Sequence, residues 1–193
     1  MAELSAALRQ RASTDDRWQV HGSALGEEEG EAEINVVPGT MSSLLDASQF
    51  GKDWSQRLRR SHTETIRVRR LEDVWDEAVA GVRNPRVYLK MDTQGFDMQT
   101  FRGAGERVSE LLGLQSEVSC VPIYDGMPRM AEQITAYEQA GFAITGMFSV
   151  SRDQPTLRVI EFDVVMIGPR ALRERAAGPT PRSGPEEEQA WEH

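Results

Sequence analysis

A short apolar run, from Val87 to Met91, ends abruptly in polar and small residues that begin at Asp92. An unbroken β-prone run is typical of a strand buried on both faces, because a strand with one wet face alternates apolar and polar residues. The run therefore predicts a buried strand, and Asp92 marks the point where that strand ends.

Helical and strand patterns alternate on both sides of this run. Apolar residues recur at helical spacing over 71–82 and 130–137, and a third helix is expected from Asp97, split by Gly103 and Gly105. The β-prone segments are 66–68, 118–121, 142–150 and 157–167, with a turn at 151–155 between the last two. Because parallel strands need a crossover helix, this order predicts an α/β fold. We expect one mostly parallel sheet with helices on both faces and a C-terminal antiparallel hairpin.

The two ends of the chain have simpler patterns. A helical stripe over 4–12 opens the chain, and short strands are predicted over 18–20 and 32–36. The last part of the sequence is rich in proline and glycine and holds three successive glutamates, a composition that buries too little apolar area to order a chain. We therefore expect one domain over 1–170 and a disordered acidic tail over 171–193.

Composition and charge exclude several classes of protein. No apolar stretch approaches the roughly 18 residues that a membrane helix needs, and the start lacks the basic leader of a secretory signal. The net charge of −9 opposes nucleic-acid binding. With one cysteine, Cys120, and three histidines without ligand spacing, we expect neither a disulfide nor a metal site. These features predict a cytoplasmic protein that binds neither nucleic acid nor a membrane.

The residues after the apolar run are the first candidates for a site, because open parallel sheets bind ligands beyond the carboxyl ends of their strands. Strand alternation places Lys90 and Asp92 on the same side, and a buried lysine and carboxylate are too costly to keep unless they are paired or used. A strand-end ion pair or a cap of the next helix explains them equally well. Gln94 and Asp97 extend the loop, and Asp97 also suits a helix N-cap.

Glu117, beside the next predicted strand, is the second carboxylate candidate. If the two strands run parallel, Asp92, Gln94 and Glu117 lie at one end of the sheet and line a cleft. Asp125 is interpreted as a turn residue, since it stands in a Tyr-Asp-Gly sequence. The chain contains neither of the usual Gly-rich phosphate loops.

Residues 89–97, with the sequence Leu-Lys-Met-Asp-Thr-Gln-Gly-Phe-Asp, resemble the Leu-Lys-Ile-Asp-x-Gln-Gly-x-Glu signature of the FkbM family of methyltransferases. Other pieces are similar to family motifs in the same order: 24–26, 42–45, 71–74, 101–104 and 117–126. The ordered set covers about residues 15–168 and is more specific than any one motif.

The resemblance implies a class I, S-adenosylmethionine-dependent methyltransferase with a Rossmann-like sheet, most often one that O-methylates a small metabolite or a sugar. For such an enzyme we expect Asp92 as a base or substrate-orienting group, Lys90 as its electrostatic partner and Glu117 as a substrate or supporting contact. Gln94 and Asp97 are assigned to substrate binding, and Asp97 stands where the family has Glu.

In the family, a strand with an Asp-x-Gly-Ala-x-x-Gly loop and a strand with a ribose-binding acid precede the part that this chain resembles. Neither motif lies in the 193 residues, so no cofactor-binding residue is assigned and we expect an N-terminally truncated sheet. Such a chain is expected to bind S-adenosylmethionine weakly and to self-associate through its exposed sheet edge, or to have a partner that covers the edge.

Two alternatives stay open on the sequence alone. The first is a truncated, catalytically inactive remnant that acts as a binding or scaffold domain. The second is a fragment of a dehydrogenase, which requires a dinucleotide fingerprint upstream.

Overall fold

The computed structural model describes residues 2–178, with side chains from Ser5 onward. The helices are α1 (Ala2–Ala12), α2 (Gln49–Trp54), α3 (Leu71–Ala78), α4 (Asp97–Arg102), α5 (Met130–Gln139) and α6 (Pro169–Ala177), with 3-10 turns at Gln56–Arg59 and Gly105–Glu110. The strands are β1 (Ala24–Leu25), β2 (Gly30–Val36), β3 (His62–Arg69), β4 (Tyr88–Lys90), β5 (Gly113–Ser119), β6 (Ala143–Arg152) and β7 (Val159–Ile167). None of the helices in this part of the chain is long and apolar enough to cross a membrane.

The described strands form two mixed sheets. In the three-stranded sheet, β3 lies in the middle, parallel to β1 and antiparallel to β2. The four-stranded sheet has the order β4-β5-β7-β6, in which β4 and β5 are parallel and β7 is antiparallel to both of its neighbours. The α/β class and the C-terminal hairpin are thus confirmed. The prediction of a buried strand at 87–91 is wrong, because β4 is an edge strand and its residues Tyr88 and Lys90 are exposed.

The prediction of one mostly parallel sheet is wrong, since β4 and β1 each have one parallel neighbour and the other pairings are antiparallel. A parallel connection needs a crossover, usually a helix, that carries the chain back along the sheet. After β2 the chain instead turns back at once, and the main chains of Asn35 and Ser43 exchange two hydrogen bonds. The short α2 and the turn after it do not cross the sheet, so β3 returns antiparallel to β2.

Two further predictions about the chain ends need correction. Residues 18–20 are not a strand, and the first strand is β1, whose two residues pair with the end of β3. The predicted tail starts as helix α6, which begins at a proline and buries none of its residues. Arg170 on α6 donates to the Pro85 carbonyl oxygen at 2.7 Å, and Glu174 pairs with both Arg170 and Arg86. Polar contacts therefore order α6, and residues 179–193 lie outside the described part.

The main core lies between one face of the four-stranded sheet and helices α3, α4 and α5. In α3 the buried residues Leu71, Val74 and Trp75 follow the helical spacing that the sequence predicts. On α4 and α5 the rings of Phe101 and Tyr137 meet edge to face, 4.8 Å apart. A second, smaller apolar cluster holds the loops around α2 to the end of the same sheet; its buried members are Val37, Leu58, Ile123, Tyr124, Met127 and Ile160.

The end of β1 contacts helix α4 at one corner of the molecule. Thr100 Oγ1 on α4 donates to the Leu25 carbonyl oxygen at 3.0 Å. Gly103, just after α4, lies directly against the carbonyl group of Gly26, where a Cβ atom would have no room. This corner fixes β1 beside the strand and loop that carry the candidate residues.

Candidate functional site

Four of the five predicted site residues come together at the carboxyl ends of β4 and β5. Lys90 Nζ lies 3.0 Å from Asp92 Oδ2. Gln94 Nε2 lies 3.2 Å from Asp92 Oδ1 and 3.2 Å from Glu117 Oε2, so one amide bridges the two carboxyl groups. We call Lys90, Asp92, Gln94 and Glu117 the strand-end cluster. Because β4 and β5 are parallel, as expected at this point, both deliver their polar ends to the same place.

Gln94 is held in an unusual backbone conformation. Its φ is +53° and that of Gly95 is +89°, so two successive residues occupy the left-handed region. Ser43 Oγ donates to the Gln94 carbonyl oxygen at 2.7 Å. The Tyr124 hydroxyl lies 3.0 Å from Gln94 Oε1 and 3.0 Å from the Met41 carbonyl oxygen, and burial raises the pKa of Tyr124, which keeps it a donor. These contacts aim the Gln94 amide nitrogen at the two carboxyl groups.

Asp97, which the resemblance assigns to substrate binding, is buried and bound within the protein. Its side chain is 1% exposed, and its oxygens accept hydrogen bonds from within the protein. Oδ1 accepts from the main-chain N–H and the hydroxyl of Thr93, and Oδ2 accepts from Ser116 Oγ at 2.7 Å and from the Glu117 N–H at 3.1 Å. Asp97 therefore ties the loop after β4 to β5. The alternative that the sequence offers, a helix N-cap, is also wrong, because the N-cap of α4 is Phe96 and the N–H groups that Asp97 binds belong to Thr93 and Glu117.

Lys90 and Asp92 form an exposed pair. Their side chains are 53% and 54% exposed, so the cost of burial that the sequence argument assigns to them does not apply. Their hydrogen bond is the main reason that the pKa of Lys90 is raised. An ion pair as exposed as this one contributes about 1 kcal/mol or less to stability.

Glu117 has the most perturbed carboxyl group of the cluster. Burial, followed by the nearby charges of Glu161 and Asp92, raises the pKa of Glu117 to about 8. Glu161, on β7, is itself buried; it accepts hydrogen bonds from Ser119 Oγ at 3.3 Å and Ser151 Oγ at 2.9 Å, and burial is the main cause that raises its pKa. A carboxyl group that titrates near neutral pH can accept or donate a proton under physiological conditions.

A cleft of about 360 Å³ opens between β4 and the three-stranded sheet, and Lys90 and Asp92 line it. The prediction that Gln94 and Glu117 line a cleft together with Asp92 is wrong for this cleft, since neither is among its lining residues. Its walls are largely apolar, and the hydroxyls of Ser23, Ser42 and Ser43 add polar groups. The volume lies in the range of small-molecule sites. The apolar residues that line it are Leu25, Ile34, Leu44, Ile66, Leu89, Met91 and Phe96.

Sequence reasoning missed Ser43, Tyr124 and Glu161. Ser43 and Tyr124 stand in stretches that resemble family motifs, and this was the signal that could have drawn attention to them. Glu161 carries no such signal, because its position beside Glu117 depends on β7 pairing with β5, with Glu161 opposite Ser119. Among residues 2–178 no group of three or more histidine, cysteine or acidic side chains could hold a metal ion.

In a comparison with protein families, the family model for the methyltransferase FkbM domain matches residues 12–136, which is 125 of the 193 residues. Searches of curated proteins and of solved structures gave no significant match. The matched range contains the whole strand-end cluster and leaves out β6 and β7.

Proposed function

Since the chain belongs to the methyltransferase FkbM domain family, we propose that it methylates a hydroxyl oxygen of a small metabolite or sugar, with S-adenosylmethionine as the methyl donor. The observation that carries this proposal is the strand-end cluster, in which two carboxyl groups of different character flank one amide beside a cleft. A hydroxyl group that is methylated must lose its proton, so the site needs a proton acceptor and groups that orient the oxygen.

Within this proposal Glu117 is the proton acceptor. Its pKa of about 8 gives it the proton affinity that a base needs near neutral pH, whereas Asp92 is exposed and paired with Lys90. Asp92 and the Gln94 amide would orient the acceptor hydroxyl, and Lys90 would hold Asp92 in place. The sequence assigns the base to Asp92 first, and the burial of Glu117 beside Glu161 is the reason to prefer Glu117.

The described residues fit the methyl donor only in part. The cleft has apolar walls and hydroxyls suited to a nucleoside, and Asp92 is its one lining carboxylate among residues 2–178. Both Asp92 oxygens are already engaged by Lys90 and Gln94, and no Gly-rich loop follows a strand in this part of the chain. The described residues therefore account for binding and deprotonation of the methyl acceptor, and they do not account for binding of the methyl donor.

The test is transfer of a labelled methyl group from S-adenosylmethionine, at high concentration, to a panel of hydroxylated small molecules and sugars. We expect Glu117→Gln to lower the rate about a hundredfold or more, as loss of a general base does, and Asp92→Asn to lower it about tenfold. The wild-type rate should rise with pH through about 8, where Glu117 loses its proton, and this rise should be absent in Glu117→Gln.

Matched controls are Asp16→Asn and Glu138→Gln, which make the same chemical changes at exposed positions on other parts of the chain. Both controls should keep the wild-type rate. Unchanged activity in Asp92→Asn and Glu117→Gln would reject the cluster as the site. Binding of the donor without transfer to any acceptor would favour the alternative function, a binding domain without catalysis.

Donor binding is a separate prediction. Titration calorimetry of the purified 193-residue chain with S-adenosylmethionine should show weak binding, because the described cleft offers no free carboxylate and no Gly-rich loop to the donor. A version extended upstream with a Gly-rich strand and loop should bind more tightly. Tight binding by the 193-residue chain itself would contradict this prediction.

A further inference from the structure

The two sheets have four edge strands within residues 2–178, and β6 differs from the other three. β1 and β4 have two and three residues, and β4 carries Lys90. β2 has seven residues but includes Glu31 and Glu33. Short length and charged side chains are the usual devices that prevent an edge strand from pairing with another chain. β6 has ten residues, and its first nine, Ala143–Ser151, include no charge and no proline.

Side chains on both faces of β6 are exposed. Phe148 is 62% exposed, Val150 50%, Ile144 40% and Met147 39%. One edge of β6 pairs with β7, and its other edge has no neighbouring strand among the described residues. The main-chain groups along that outer edge therefore have no sheet partner there. A long, apolar, uncharged edge of this kind is a template for addition of another strand.

We propose that β6 pairs antiparallel with the β6 of a second copy of this chain, which joins the two four-stranded sheets into one of eight strands. In an antiparallel pair related by a two-fold axis, opposite residues must point to the same face of the sheet. The axis therefore passes between one residue and its own copy. Register shifts against β7 flank the regular segment Gly146–Ser149, so the pairing belongs at this segment.

A register centred on Met147 makes the segment self-complementary. It places Phe148 of each copy opposite Gly146 of the other. Within one chain the Phe148 ring already covers Gly146, where an added Cβ atom would approach it to 2.9 Å, so the two rings of the dimer lie side by side on one face of the joined sheet. No charged residues oppose each other in this register, since Arg152 falls beyond the paired segment. This complementarity selects a second copy over an unrelated strand as the partner.

The proposal does not depend on the enzymatic one, because β6 lies outside the strand-end cluster and outside the family match. Sedimentation equilibrium of the whole chain over a range of concentrations should show a monomer–dimer equilibrium. Met147→Lys should weaken the dimer about tenfold or more, since it places two like charges directly opposite each other. Leu157→Lys is the matched control: Leu157 is 68% exposed but lies outside β6, so this change should leave the dimer unaffected.

Cross-linking tests the register in a Cys120→Ser background, which removes the one native thiol. Under mild oxidation Met147→Cys should form a covalent dimer, because the two residues face each other across the two-fold axis. Ala143→Cys should stay monomeric on a denaturing gel, because its opposite residue is not its own copy. A chain that is monomeric at all concentrations, or a dimer that Met147→Lys leaves intact, would overturn the proposal.

Discussion

Gln94 shows how much of the site rests on single residues. Its left-handed backbone is uncommon for a residue other than glycine, and hydrogen bonds from Ser43 and Tyr124 hold it. The side-chain amide then spans the distance between Asp92 and Glu117. The sequence predicts that these three residues meet, because strand ends converge. It does not predict the bridge, because the direction of an amide depends on partners that lie 30 and 51 residues away.

Glu117 also makes stability depend on pH. The pKa of Glu117 is about 8 in the folded protein and near the ordinary value of 4.5 in the unfolded chain. Between these values the unfolded chain has released the proton that the folded protein still holds, so the free energy of unfolding falls as pH rises from about 4.5 to 8. Glu117→Gln removes the titrating group and with it this fall in the free energy of unfolding. The variant should therefore be more stable than wild type at pH 9 and similar to it at pH 4.

Denaturant unfolding at several pH values measures this effect. The exposed change Glu138→Gln serves as the control and should follow the wild-type curve at every pH. Parallel curves for wild type and Glu117→Gln would show that Glu117 has an ordinary pKa in the folded protein, and would also remove the support for its role as a base.

At the scale of elements, one buried polar network joins the loop after β4, strand β5 and helix α5. Asp97 accepts from Ser116 on β5, and Ser116 in turn contacts the Tyr137 hydroxyl at 2.8 Å and Gln133 Nε2 at 2.9 Å, both on α5. All four side chains are buried and satisfied by one another. Networks of this kind fix a unique arrangement of the elements that they join, because a partly satisfied network is costly.

Asp97→Ala tests the tie between these elements. The change leaves the buried Ser116 hydroxyl and the Glu117 N–H without their acceptor, so we expect a loss of about 3 kcal/mol in the free energy of unfolding. Asp97→Asn keeps the shape and one acceptor oxygen and should lose less, about 1 to 2 kcal/mol. Chemical denaturation measures both values. A loss below that of an exposed control, Asp16→Asn, would show that Asp97 is not a structural tie.

The elements that the sequence predicts best are those whose own residues specify them. The 3.6-residue spacing of Leu71, Val74 and Trp75 marks α3, and the hairpin of β6 and β7 follows from two β-prone runs with a polar turn between them. Helix α6 was missed because it buries no apolar residue, and contacts such as that of Arg170 with Pro85 are distant in sequence. Strand β1 was misplaced because two residues are too few for a periodic pattern.

At the scale of the whole molecule, sheet membership was beyond the reach of the sequence patterns. Alternating strands and helices indicate α/β correctly, but they do not specify which strands pair. The fold-back at Asn35 and Ser43 is made by main-chain hydrogen bonds, which leave no side-chain pattern, and the insertion of β7 between β5 and β6 joins distant segments. They produce the two mixed sheets and leave β6 as an outer edge.

The contact of Gly103 with Gly26 fixes the distance between the end of α4 and the end of β1. A wall made of side chains can change its width by changing rotamers, whereas two stretches of main chain in contact can do so only by shifting whole elements. Leu25 and Thr100 line the cleft beside this corner, so the distance between the cleft walls there changes only when whole elements shift. Any selection by size there is built into the path of the backbone, and side-chain substitutions along the cleft would tune its chemistry without altering its span.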